Sequence, residues 1–477
     1  MSSSLIKHYI GTSSLAALAK IFKVFAALAM VWFVNAMVGK SGFGLYTIAF
    51  AYCFVVSSAI AACFQSLILY HVPRLAEGED SCHLIARSCL WWALLFSVLA
   101  VGVTVVISPF IEAAMDKDGL AYWLNLLSVS IPFQVGLMVL TGWYRARHEI
   151  NVMTLYFDVI PGVLMVGLIA LAWLLTEGAL WIGVVQVACV ALPFVVLFVK
   201  RPLWLPTSLF SLSRWDWIYG LKTMGTHIVN QPFRGLDVML VGAFAGLEAT
   251  ADYALAVRFS QLLMLPKQSL AQPQIPRLAQ LFKDNDLPKM VREFHAMRDV
   301  AFAGMVVGLI CYILFAQPVM MLFGPYENAY FILMLLACSA VIRTGYGEIG
   351  GYLLMAGYAG WALLISALSV AVMVTSMSVL IPEYGSYGSA YAVIVTAFAS
   401  MSLMAIVILR KDGWSILTPA SGLFLIGSCL LLLLVGHQIM VPLIAAGVFI
   451  LLQIVFLFVE RTSLEFFQIS IKRKLRR

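Results

Sequence analysis

The sequence predicts an all-α polytopic membrane protein of about fourteen transmembrane helices. Three observations predict it. The 477 residues are 62% hydrophobic and only 11% charged, against roughly 45–50% and about 25% in soluble domains, so the solvent of this chain is lipid. Its apolar runs reach the roughly 20 residues that a helix needs to cross a bilayer, and they are too long and continuous for strands. Its basic residues gather on one side of those runs.

The first apolar stretch, Thr12 to Val38, has no small-residue cleavage site behind it and reads as a span acting as an uncleaved signal anchor. Further spans read near 42–72, 89–111, 121–144, 151–175 and 178–199. A polar break at 200–217 follows. The remaining spans lie near 218–245, 250–276, 299–323, 329–355, 361–381, 386–409, 416–435 and 439–459. This gives an N-lobe at 1–199, a cytoplasmic linker at 200–217, a C-lobe at 218–411, and two further helices with a basic tail at 412–477.

With the N-terminus in the cytoplasm, twenty-one of the thirty Lys and Arg fall in cytoplasmic segments. Two (Lys40 and Lys117) fall in outer loops and seven inside spans. One extra early span would invert the loops that follow and spoil this positive-inside signal. Both termini are then cytoplasmic, and the tail Lys472–Arg477 anchors to lipid headgroups. Spread over many short loops, the net charge of +7 sets orientation and does not point to nucleic acid.

Two distant stretches repeat. Leu45-Tyr46-Thr47-Ile48-Ala49, ending at Pro73-Arg74-Leu75-Ala76, matches Asp252-Tyr253-Ala254-Leu255-Ala256, ending at Pro276-Arg277-Leu278-Ala279. Both pairs begin the second span of a half and end at its cytoplasmic exit. Two pseudo-symmetric lobes of six helices, related by an axis along the membrane normal, explain that placement and suit alternating access around a central cavity.

The seven basic residues inside spans are Lys20, Lys23, Lys222, Arg234, Arg258, Lys267 and Arg343. A charge at the bilayer centre costs about 2.5–3.5 kcal/mol on the mild insertion scale, so these side chains should face a bundle interior or a wet cavity. Spacing supports that. Thr223, His227, Asn230, Arg234 and Asp237 form one stripe on span seven, Arg258, Gln261, Gln268 and Gln272 another on span eight, and Lys20 and Lys23 share a face of span one. The acidic residues in spans are Asp158, Asp237 and Glu348. Snorkelling of the lysines and ion pairs with these carboxylates compete with a substrate role. With three pairs made, four positive charges remain, and an excess of that sign favours an anionic substrate such as a pyrophosphate. The candidate cationic cavity is therefore Arg234, Arg343, Arg258, Lys20, Lys23, Lys222 and Lys267. Asp237, Glu348, His227, Asn230, Gln261 and Asp158 are candidate polar or coupling groups. Pro232, two residues before Arg234, reads as a kink or hinge.

No enzyme site appears. Gly39-Lys40-Ser41 is not a phosphate-binding loop, because Val34 stands where its first glycine belongs. The eight cysteines lack metal-ligand spacing and sit mostly in apolar runs, with Cys82 in a polar loop. No metal or cofactor is expected; the drive is a proton or sodium gradient, the membrane potential or the substrate gradient.

Short motifs then join these features: Gly42-Phe43-Gly44-Leu45-Tyr46-Thr47-Ile48-Ala49, Arg234-Gly235-Leu236-Asp237 with Gly246, Leu322-Phe323-Gly324-Pro325-Tyr326, and Gly385-Ser386-Tyr387-Gly388-Ser389-Ala390. In these the chain resembles the Wzx-type polysaccharide flippases of the multidrug/oligosaccharidyl-lipid/polysaccharide (MOP) superfamily. The resemblance implies a bacterial inner-membrane flippase for undecaprenyl-pyrophosphate-linked oligosaccharide units, serving O-antigen, exopolysaccharide or capsule synthesis. It implies membrane lipids as surroundings, with a glycan polymerase and chain-length proteins as candidate partners. Where the family often has glycine-proline in the first loop, this chain has Gly39-Lys40-Ser41. A lipid II flippase of peptidoglycan synthesis is the rival of the same fold, and a membrane glycan polymerase or ligase the rival of another class. A drug antiporter would need cavity acids for cationic drugs.

Overall fold

The computed structural model describes residues 3–72, 80–147, 149–175, 178–200, 212–229, 235–283, 286–324, 326–437, 439–440, 442 and 444–453. Among these, helices are joined by turns and there is no strand. In a bilayer each backbone N–H and C=O needs a partner within its own segment, and the helix meets that demand.

The order is α1 (Ser3–His71), α2 (Asp80–Met115), α3 (Leu120–Ser128), α4 (Ile131–Ala146), α5 (Ile150–Thr154), a π-helical turn (Leu155–Val159), α6 (Ile160–Leu175) and α7 (Ala179–Lys200). Then come α8 (Arg214–Val229), α9 (Asp237–Phe244), α10 (Leu247–Leu263), α11 (Leu265–Lys283), α12 (Leu287–Met321), α13 (Glu327–Gly345), α14 (Ile349–Met355), α15 (Ala359–Tyr384), α16 (Ser386–Asp412) and α17 (Pro419–Gly436). A last apolar helix covers Ile444–Gln453. Among the described residues, eight helices are long and apolar enough to cross a membrane, or nine if α3 and α4, bent by 44°, form one span. The protein is a multi-pass membrane protein. Among the described residues each predicted span contains helix, but several are short or interrupted, so the number fourteen stays a proposal.

Two interruptions follow from glycine. α1 is broken at Gly39, whose φ of 72° and ψ of 179° lie outside any helix; this is the loop expected between the first two spans. Gly235 has a φ of 144° and sits against Ala51, a backbone that side chains other than hydrogen rarely adopt. It corrects one expectation: Asp237, beyond Gly235, does not continue the helical register expected to run to it from Thr223. A third break, at Met264 between α10 and α11, lies beside Pro266, which lacks the N–H that a continuous helix would use. A further correction concerns Cys82. It is buried in the first turns of α2 rather than in a polar loop.

Packing divides the chain into two compact units, Leu18–Ala254 and Met1–Ala17 with Leu255–Arg477. In the first, α2 packs on α3 and α4, and α7 packs on α4 and α6, around fully buried Phe33, Phe43, Tyr46, Phe64 and Trp143. In the second, α13 is almost wholly enclosed and touches α12, α16 and α17. The surface of the helices is apolar, as Leu99, Val106 and Phe110 of α2 illustrate. Buried hydroxyls bond back to their own helix: Thr104 donates to Ala100 O and Thr396 to Ala392 O.

Candidate functional site

Two of the predicted intramembrane lysines stand beside predicted carboxylates, one in each unit. In the first unit, Lys23 of α1 meets the π-helical turn. Its Nζ donates to Asp158 Oδ1 at 3.0 Å and to Phe157 O at 3.1 Å, and lies 4.1 Å from the centre of the Phe157 ring. The local sequence explains this seat. Pro161 has no N–H to give the carbonyl four residues before it, that of Phe157. The lysine donates to that carbonyl, and the widened turn presents the adjacent carboxylate to the same ammonium.

The second unit repeats the scheme with different parts. Lys267 stands at the start of α11, just after the break at Met264. Its Nζ donates to Arg343 O at 3.0 Å and faces Glu348 Oε2 at 3.9 Å. Arg343 lies in the last turn of α13. The N–H of Gly347, four residues on, donates to Thr344 O instead, which leaves the Arg343 carbonyl to the lysine. Arg258 of α10 belongs to the same unit and is half-buried, and Gln261 is exposed.

The remaining candidates are scattered. Asp237 is buried and accepts from Gly235 N at 3.1 Å and Tyr253 Oη at 3.0 Å, so it closes the turn between α9 and its neighbours. Lys222 is exposed on α8. Arg234 and Asn230 lie outside the described residues, as do the side chains of Lys20 and His227. Among the described residues no group of His, Cys, Asp or Glu has metal-binding geometry.

Three polar features escape the sequence reading. Lys40 Nζ lies 2.9 Å from Asp252 Oδ1, joining a predicted outer loop to the start of the eighth predicted span; nearby, Gly44 packs directly on the Leu247 carbonyl. Arg298 is 2% exposed and donates to Asp299 Oδ1 at 2.8 Å and Ile416 O at 2.7 Å, fixing the approach to α17. At the start of α8, Ser213 and Asp216 exchange the bonds of a capping box. His71 Nε2 donates to Asp216 Oδ1 at 2.6 Å. Burial alone would raise the Asp216 carboxyl, but the bonds from Ser213 and His71 hold it below the usual carboxylate range. The spacing Ser213-x-x-Asp216 was the readable signal for this cap.

Against known proteins, residues 74–325 match the family model described as polysaccharide biosynthesis protein. A curated relative, the teichuronic acid biosynthesis protein TuaB of Bacillus subtilis (strain 168), is 23% identical over 209 residues. That match takes in 43% of this chain and 42% of the relative, so less than half of the relative's length is covered. Among solved structures, the lipid II flippase MurJ in an inward closed conformation superposes with a TM-score of 0.71 at 13% identity, covering 95% of this chain and 99% of that one. An inward-facing multidrug resistance MATE family transporter of the MOP superfamily gives 0.65 at 15% identity, covering 83% and 98%. The fold is that of these transporters.

Proposed function

Since the chain belongs to the polysaccharide biosynthesis protein family, we propose that it is a flippase carrying a lipid-linked anionic saccharide across the membrane. It is a transporter rather than an enzyme. The observation that carries this reading is the coincidence of a polysaccharide-biosynthesis family match with a transporter fold over nearly the whole chain. The substrate we propose is an undecaprenyl-pyrophosphate-linked oligosaccharide unit, moved across the bacterial inner membrane for O-antigen, exopolysaccharide or capsule synthesis. The basic residues within the helices support an anionic headgroup. Lys23 and Lys267 each stand beside a carboxylate; Arg234, Arg258, Arg343 and Lys222 complete the set of basic residues that we propose faces the headgroup. Coupling to a proton or sodium ion, cytoplasmic termini, and a glycan polymerase with chain-length proteins as partners belong to the same proposal.

Deletion of the coding sequence from its host tests it. Surface glycan should fall and diphosphate-linked glycan should accumulate on the cytoplasmic side, both reversed by the intact chain and not by a form carrying Arg343→Ala and Arg258→Ala. Normal glycan export in the deletion strain would sink the reading. A second reading, the lipid II flippase of peptidoglycan synthesis, is favoured by the superposition on MurJ; there the deletion would halt wall synthesis instead.

A further inference from the structure

One exposed sector of α8 is built unlike the rest of the helix surface. Residues on a helix advance by about 100° each. Asp216, Gly220 and Thr223 therefore share one face, and that face packs. Gly220 sits on Cys63 and Leu67, and Thr223 Oγ1 lies 2.7 Å from Ser66 Oγ. Ile218 and Leu221, 45% and 54% exposed, point the other way and suit lipid. Trp215, Tyr219 and Lys222 occupy a third sector, at spacings of four and three residues. The Trp215 and Tyr219 rings stack with centroids 5.1 Å apart and only 11° between planes. Tyr70 braces both, at 5.0 and 5.2 Å. The His71–Asp216 bond holds the end of α1 and the start of α8 together beneath them.

We propose that this sector is a saccharide shelf: the sugar rings of the lipid-linked substrate stack on Trp215 and Tyr219, and Lys222 meets its diphosphate. This rests on the flippase reading and names the subsite that the substrate meets first. The order of the residues fits the order of the substrate. Charge alternation puts the start of α8 at the cytoplasm, and Lys222 lies about 10 Å further along the helix axis than Trp215. In a prenyl-diphosphate glycan the phosphates sit next to the lipid and the sugars extend into water. A flat aromatic pair offers its face to the C–H side of a sugar ring, and an ammonium offers three donors to phosphate oxygens. An aromatic residue serving only as an interfacial anchor would have no preference for a sugar-bearing ligand.

The test uses the full chain in nanodiscs, titrated with farnesyl diphosphate and with farnesyl diphosphate bearing one N-acetylglucosamine. The wild type should bind the sugar-bearing probe about three- to tenfold more tightly. In Trp215→Ala/Tyr219→Ala that ratio should fall to about one while the affinity for the bare diphosphate holds; Trp215→Phe/Tyr219→Phe should keep the preference. Lys222→Gln should weaken both probes alike. A retained sugar preference in the double alanine variant overturns the shelf, as does a wild type that binds both probes equally; either result leaves the flippase reading standing. A wild type that binds neither probe removes the flippase reading itself. Thermal unfolding checks that the variants fold, and if the double variant does not, Trp215→Ala alone carries the test at a side chain 47% exposed.

Discussion

Lys23 and Lys267 answer one problem in two settings. Both are cations within predicted spans, and both donate to a backbone carbonyl that an irregular helix has left without its usual donor. They differ in how much the neighbouring carboxylate matters. Lys23 sits 3.0 Å from Asp158 with its side chain 41% exposed, and it also has the face of Phe157. Lys267 is 14% exposed, stands 3.9 Å from Glu348, and has the Arg343 side chain close enough to oppose its charge. A buried cation with another cation nearby depends on its carboxylate more than a half-open one does, even when the open pair is the shorter. Distance alone would rank the two sites the other way.

The largest expected effect is therefore at Glu348. Glu348→Gln should destabilise the chain by about 2.5–3.5 kcal/mol, the order of cost of an uncompensated charge in the membrane interior. Unfolding in nanodiscs would measure it, and Lys267→Met in the same chain should restore most of the loss. An equal loss in the double variant would mean that Glu348 acts through something other than Lys267. Asp158→Asn should cost less, about 0.5–1 kcal/mol, because solvent screens the half-exposed pair and the carbonyl and ring contacts persist. If Asp158→Asn cost more than Glu348→Gln, the ranking by burial would be wrong and distance would be the better guide.

Every member of both clusters was visible in the sequence as a charge within an apolar run, and so were the helices that carry them. The partnerships were not. Lys23 and Asp158 are 135 residues apart, and periodicity within one helix says nothing about which other helix lies beside it. The stripe on span seven lost its last member for a local reason: a glycine at φ 144° stands between Asp237 and the residues before it and ends the register that the stripe assumed. The capping box at Ser213 moved the start of α8 into the predicted linker and brought Trp215, which composition had left in a polar break, onto one helix face with Tyr219. Lys40 was assigned to an outer loop and Asp252 to the start of a span, yet nothing in their spacing announced that they touch.

The smallest effect tests why Lys23 is seated where it is. If its place is set by the carbonyl that Pro161 leaves free, then Pro161→Ala supplies a competing helical N–H to Phe157 O and weakens the reason for the seat. The substitution alone should change stability little, since the helix gains a bond while the lysine shares one. Its signature is coupling. Measured with Lys23→Met in a double-mutant cycle, Pro161→Ala should show an interaction of about 0.5–1 kcal/mol, within the range for residues that share a partner. Additivity to within about 0.3 kcal/mol would mean that Asp158 alone positions the lysine. The likeness between the two sites would then reduce to a shared ion pair, and the freed carbonyl of Phe157 would be incidental to it.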